Sequence, residues 1–216
     1  MVVATSAYMT GRRTYLKGAT RPQAILFSNN AGTLDDGKYV PNGDELTDFI
    51  ILTDGNRSEI SISSQRIEQR QRMVNGNMRS YWMADKLNLS TSWDRIPSRA
   101  YSESVTFDTD TGAIEEDPST YSMYTVDGGA GGVDILSWYE DHVGPFYVFL
   151  GYDKFRVEGS ENYDRLSGYN QVLKMFISSF DYNIQKRGGT STGNMWSNDK
   201  TVGFDLWNIS LSLEEV

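Results

Sequence analysis

One imidazole and no thiol limit the chemistry open to this chain. It has 216 residues, a single histidine (His142) and no cysteine. Disulfides, zinc–thiolate sites, iron–sulfur clusters and a cysteine nucleophile are therefore excluded, as is any multi-histidine metal site. A Ser-His-Asp arrangement would have to use His142. That residue is expected at the surface end of a helix, and no Gly-x-Ser-x-Gly elbow accompanies it. Asp108, Asp110 and Gly112 resemble the opening of a calcium loop, but glycine stands where the fifth position needs an oxygen-bearing side chain. An ordinary turn is the simpler reading. The glycine-rich residues 128–132 precede a helix, as a phosphate cradle would. No Lys-Ser/Thr follows, and Asp134 would repel phosphate, so a flexible connector is expected. Carboxylates are plentiful, yet no local pattern selects a pair for glycoside cleavage. Five tryptophans could supply a sugar platform, with Trp196 in a polar loop the best exposed candidate. No cofactor, metal or catalytic residue is expected.

The charged residues are more informative. Formal net charge is −9. Residues 57–99 carry eight basic and four acidic side chains, whereas residues 100–163 carry two basic and thirteen acidic. Such segregation suggests a polar surface with opposite ends. Within the basic block lie Arg66, Arg70, Arg72 and Arg79, the expected subunit-interface residues. The overall acidity argues against a dedicated DNA binder.

These arginines must be positioned by a long hairpin. Ile60 and Ile62 alternate with serines, and Ile67, Gln69, Gln71 and Met73 continue in the opposite phase, so a bulge is expected near residues 64–66. Asn75-Gly76 suits a two-residue type I′ turn. Met78, Ser80, Trp82 and Ala84 alternate beyond it. That turn sets Arg72 opposite Arg79, Arg70 opposite Tyr81 and Arg66 opposite Asp85. Directly opposed like charges are unfavourable, so the cluster is expected to meet an anion on another subunit. Neither face of the hairpin is fully apolar, which also points to support from a neighbour.

Elsewhere, short apolar runs predict strands at residues 24–27, 49–52, 87–93, 101–107 and 146–150. Longer strands are predicted at 169–185 and 201–213, with a bulge or sheet switch near Leu206-Trp207. The one convincing helix spans residues 134–143, with Ile135, Tyr139 and Val143 on one face and Gly144-Pro145 as the stop. The fold class is thus mainly β: an antiparallel sandwich or barrel with one short helix and a long projecting hairpin. Residues 1–22 form an irregular arm, and residues 23–216 a single domain with the hairpin at about 58–93. No apolar run approaches the roughly 18 residues of a membrane span, and residues 1–13 lack the apolar region of a secretory leader.

A cysteine-free, acidic, turn-rich β chain with a long polar hairpin around Asn75-Gly76, one helix at 134–143 and a long C-terminal strand pair resembles the structural proteins of bacteriophage tails. In particular it resembles the tail-tube fold of tube, neck and baseplate ring components. The resemblance is architectural and runs from about residue 24 onward. No motif matches residue by residue, so no functional residue is carried over. It implies two packed antiparallel sheets beside one helix and a hairpin reaching a neighbour. It implies six copies in a ring, stacked rings and a lumen that passes DNA. The partners implied are further copies of the chain and other tail proteins. The location implied is the virion tail, with assembly in the host cytoplasm. The alternative is a carbohydrate- or receptor-binding β-sandwich at a tail tip.

Overall fold

The computed structural model describes residues 23–35, 37–43, 48–100, 124–152, 168–187 and 204–216. The expected arm (1–22), the predicted strand at 101–107, the Asp108–Asp110–Gly112 loop and the Trp196 loop lie outside these residues. The strands are β1 (Ile25–Ser28), β2 (Thr33–Asp35), β3 (Lys38–Val40), β4 (Phe49–Ile51), β5 (Ser61–Arg72), β6 (Met78–Pro97), β7 (Phe146–Leu150), β8 (Gln171–Lys186) and β9 (Leu206–Glu215). One helix, α1 (Gly132–Asp141), stands between β6 and β7. Mainly antiparallel β structure with one short helix among the described residues is as expected. The small β2–β3 hairpin was not foreseen in its turn-rich segment.

Seven strands form one antiparallel sheet in the order β4-β1-β7-β8-β9-β6-β5. Its edge strands β4 and β5 are consecutive in the chain. In a flat sheet six spacings of ~4.8 Å would hold those edges about 29 Å apart. Yet Leu52 bridges Ala130 and Arg57 already bridges Trp93 of β6, and the linker between them spans at most about 18 Å. The sheet therefore rolls over on itself. β8 makes the corner: Met175 pairs with Phe146 of β7 on one side and with Glu215 of β9 on the other. The result is a sandwich-like fold, with β4-β1-β7 and the start of β8 in one layer and the rest of β8 with β9-β6-β5 in the other.

The alternation of β9 sets the inner face of the second layer, since Trp207, Ile209, Leu211 and Leu213 are all buried. The expected irregularity near Leu206-Trp207 is taken up by both neighbouring strands. Register shifts occur between Ile184 and Lys186 of β8 and between Trp93 and Ile96 of β6. At the second, Arg95 adopts φ +58°, and its N–H donates to Asn208 Oδ1 at 3.0 Å.

β1 is buried along its whole length, as a strand with packing on both faces must be. Phe27 meets Phe146 edge-on at 5.0 Å and Trp138 of α1 at 6.1 Å between centroids. The buried stripe of α1 is Ile135 and Trp138. Tyr139 and Val143, expected on the core face, are exposed: Trp138 takes the inward position beside Tyr139, and Val143 lies past the end of the helix at Asp141.

The glycine stretch is not a flexible connector. Residues 127–132 are buried. A Cβ on Gly129 would lie 2.6 Å from the backbone of Thr53, one on Gly131 2.8 Å from Arg99, and one on Gly132 2.9 Å from the Trp207 ring. Glycine is required there by close approach. Beside it sits a buried carboxylate. Asp127 accepts hydrogen bonds from Thr53 Oγ1 (2.5 Å), the Asp54 N–H (2.8 Å) and the Gly129 N–H (3.1 Å). The Trp93 indole donates to the Thr53 carbonyl at 2.8 Å. This network ties the exit of β4 to the entrance of α1 and to β6. Asp54 in turn accepts from the Ala24 N–H and from Arg57; burial nevertheless pushes its carboxyl above the ordinary range.

Candidate subunit interface

The hairpin β5–β6 extends past the rest of the sheet. β9 pairs with β6 only from Asn88 to Pro97; Lys86 and Leu87 still bond the chain end at Val216 and Glu215, and residues 78–85 are held by β5 alone. Both ends of the connection differ from the expected two-residue turn. Gly76 N–H donates to the Met73 carbonyl (2.9 Å) and Met73 N–H to the Asn77 carbonyl (2.8 Å), closing a three-residue loop. Gly76 alone takes the left-handed conformation, φ +81°, the geometry of a type I turn followed by a glycine bulge. The register consequently slips by one. Arg72 faces Met78, Gln71 faces Arg79 and Arg70 faces Ser80. A bulge at Ile67/Glu68, not at 64–66, restores the expected pairing of Arg66 with Asp85.

That slip separates the four arginines. Arg66, Arg70 and Arg72 share one face with Glu68, Met78, Ser80, Trp82 and Asp85. Arg79 lies on the other, with Gln69, Gln71 and Tyr81. The unfavourable Arg72–Arg79 opposition does not occur. Arg66 is paired inside the hairpin, its Nε donating to Asp85 Oδ1 at 2.9 Å. Glu68 accepts from Arg70 and from Ser80 Oγ. Ser80 and Arg70 hold the Glu68 carboxyl below the ordinary range, and Arg66 does the same for Asp85. Arg66, Arg70 and Asp85 are exposed and Glu68 is half-buried among them; pairs this close to water contribute little to stability. Arg72 and Arg79 have no anionic partner among the described residues. The hairpin also exposes Val74, Met78, Tyr81, Trp82 and Met83.

Besides the three-residue strands β2 and β4, two long strand edges are open among the described residues. β5 pairs only with β6. Beyond Met175, β8 pairs only with β9, leaving its other edge free as far as Lys186. Phe176, Tyr182 and Ile184 are exposed on this stretch, where Asp181 is the single charge before Lys186. The sequence located both strands but gave no sign that their outer edges lack partners, which depends on the sheet order.

Other expected sites fare differently. His142 is half-buried. Its ring stacks on Trp138 at 3.8 Å and 12°, Nδ1 donates to the Trp138 carbonyl (2.9 Å), and Nε2 lies 2.6 Å from Asn29 Oδ1. It fastens the end of α1 to the residues after β1. His142→Ala is expected to lower the unfolding free energy by about 1–2 kcal/mol, through the lost stacking and hydrogen bond; urea unfolding checks this. Trp82 and Tyr81 point to opposite faces of the hairpin, so they do not form a sugar platform. A shallow cavity of about 400 Å³ opens on the outward face of β5-β6-β9-β8, lined by Ser63, Ser90, Ser179, Ser212, Asn88 and Glu214 among others. Its single carboxylate, Glu214, does not supply the pair that glycoside cleavage needs. Among the described residues no three His, Asp or Glu side chains converge as a metal site.

One solved structure contains a similar chain. It is described as "Tail of empty GTA particle computed with helical refinement, C6 symmetry". The likeness covers 89% of this chain and 90% of that one, at 9% identity and a TM-score of 0.38. No protein-family model and no curated protein matches.

Proposed function

We propose that this chain is a non-enzymatic structural subunit of a bacteriophage tail, a tube or tube-like neck or baseplate component that closes into a ring with copies of itself. The observation that carries the reading is the pair of free edges on β8 and β5. The four strands β8-β9-β6-β5 alternate in direction, so their outer edges run oppositely. A copy rotated about an axis beside the first would set its β8 antiparallel to β5 of its neighbour, extending the ladder. That contact is heterologous, joining two different patches, and heterologous contacts close into rings when the rotation allows. Long unpaired edges are otherwise an aggregation liability. Six copies, a stacked tube and a lumen that passes DNA are what the resemblance to tail-tube proteins adds, along with the virion tail as location.

Mass photometry and negative-stain microscopy of the purified chain test the proposal. Closed rings or stacked tubes are expected at micromolar concentration. A monomer at every concentration and salt would overturn it.

A further inference from the structure

We propose that the hairpin tip of one copy docks on the C-terminal end of α1 in the next copy, Val74 against Val143, with Arg72 and Arg79 facing Glu140 and Asp141. The inference rests on the ring reading above and names the contact within it.

Val74 and Val143 are the two most exposed large apolar side chains among the described residues, at 109% and 96%. Each stands beside charges that no described residue neutralises, and the signs are opposite. Around Val74, Met73 and Met78 widen the apolar tip. Arg72 and Arg79 flank it from the two faces of the hairpin, because the three-residue loop separated them. Arg66 and Arg70 are already engaged by Asp85 and Glu68, so the tip guanidiniums are the ones left to receive an anion. Around Val143, Glu140 and Asp141 are exposed and have no cationic partner among the described residues. They sit in the last turn of α1, which carries no basic residue. Carboxylates at that end oppose the helix dipole, a disadvantage that a neighbour's guanidinium would reverse.

The two features also lie at the same end of the molecule. α1 begins against Ser98 and Trp207, at the end of β6 far from the hairpin loop. It finishes at His142 on Asn29, pointing toward the end from which the hairpin projects. Neighbours set level by β5–β8 pairing would bring tip and helix end to the same height. The charge matching fixes orientation and register more than it supplies affinity, which comes from the covered apolar groups.

The absence of native cysteine makes cross-linking a clean test. Val74→Cys with Val143→Cys, oxidised after assembly, is expected to give a ladder of covalent multimers on a non-reducing gel, while each single variant stops at a dimer. Separately, Arg72→Glu with Arg79→Glu is expected to weaken assembly at least about tenfold, with circular dichroism unchanged. Adding Glu140→Lys and Asp141→Lys is expected to restore it. Wild-type rings with no cysteine ladder, or reversal variants that assemble normally, overturn this contact and leave the ring reading standing. Weakened assembly that the second reversal fails to rescue means the tip docks elsewhere and also overturns it. A wild-type chain that never leaves the monomer overturns both.

Discussion

Asp127→Ala is expected to cost about 3–5 kcal/mol of unfolding free energy, a large share of what a domain of this size has. The carboxylate accepts from the Thr53 hydroxyl and from the N–H groups of Asp54 and Gly129, and Asp127 is 2% exposed. Removing it leaves three buried or half-buried donors without an acceptor, and each orphan costs about 1–3 kcal/mol. Asp127→Asn keeps one oxygen and is expected to lose less, which separates unmet donors from loss of side-chain volume. Gly129→Ala is the companion test, because its Cβ would press on the Thr53 backbone at 2.6 Å and must push β4 away from the α1 entrance. Urea unfolding at constant slope measures all three. A shift under about 1 kcal/mol for Asp127→Ala would mean that the segment moves freely enough for water to replace the carboxylate.

The same residues explain what the sequence made legible and what it did not. β7 was readable to the residue, because Phe146–Leu150 is an unbroken apolar run closed by Gly144-Pro145 on one side and Gly151 on the other. β9 was readable from its period of two. The run at 128–132 was misread because small residues serve opposite purposes: they loosen an exposed chain and they let buried backbones touch. Only the positions of Thr53, Arg99 and Trp207 distinguish the two, and all three are distant in sequence. The hairpin failed by one residue for a related reason. Asn75-Gly76 satisfies a two-residue loop needing two positive φ angles, but it also satisfies a three-residue loop needing one. The second lets Asn75 stay at negative φ and accept the Asn77 N–H at 3.0 Å. A single-residue slip then changed which arginines share a face. Thus the cationic character of the arm was visible in the sequence, while the division between paired Arg66 and Arg70 and unpaired Arg72 and Arg79 was not.

Shortening the hairpin is expected to abolish ring formation while leaving the subunit folded. Gln65 and Lys86 are directly opposed, so residues 66–85 can be replaced by Asn-Gly with the register of the remaining strands intact. The removed part contributes little to the core. Every described side chain of β5 is exposed or half-buried, and the buried run of β6 begins at Leu89. Its ion pairs join hairpin residues to one another, with both arginines exposed, and hold only the hairpin together. The bonds from Lys86 to the Val216 carbonyl and from Leu87 N–H to Glu215 remain to anchor the new turn. The thermal midpoint is therefore expected to move by only a few degrees, since a change of about 1 kcal/mol shifts a domain of this size by roughly 2–4 °C. Assembly should respond quite differently, because the deletion removes most of the free β5 edge and the whole exposed tip, Val74, Met78, Tyr81, Trp82 and Met83 included. Sedimentation velocity should show a single monomer species at concentrations where the full chain forms rings. If the shortened chain unfolds, the arm is part of the subunit's own stability. If it folds and still closes into rings, the free edge of β5 is not what joins the copies, and the case for this hairpin as the joining element fails on its strongest observation.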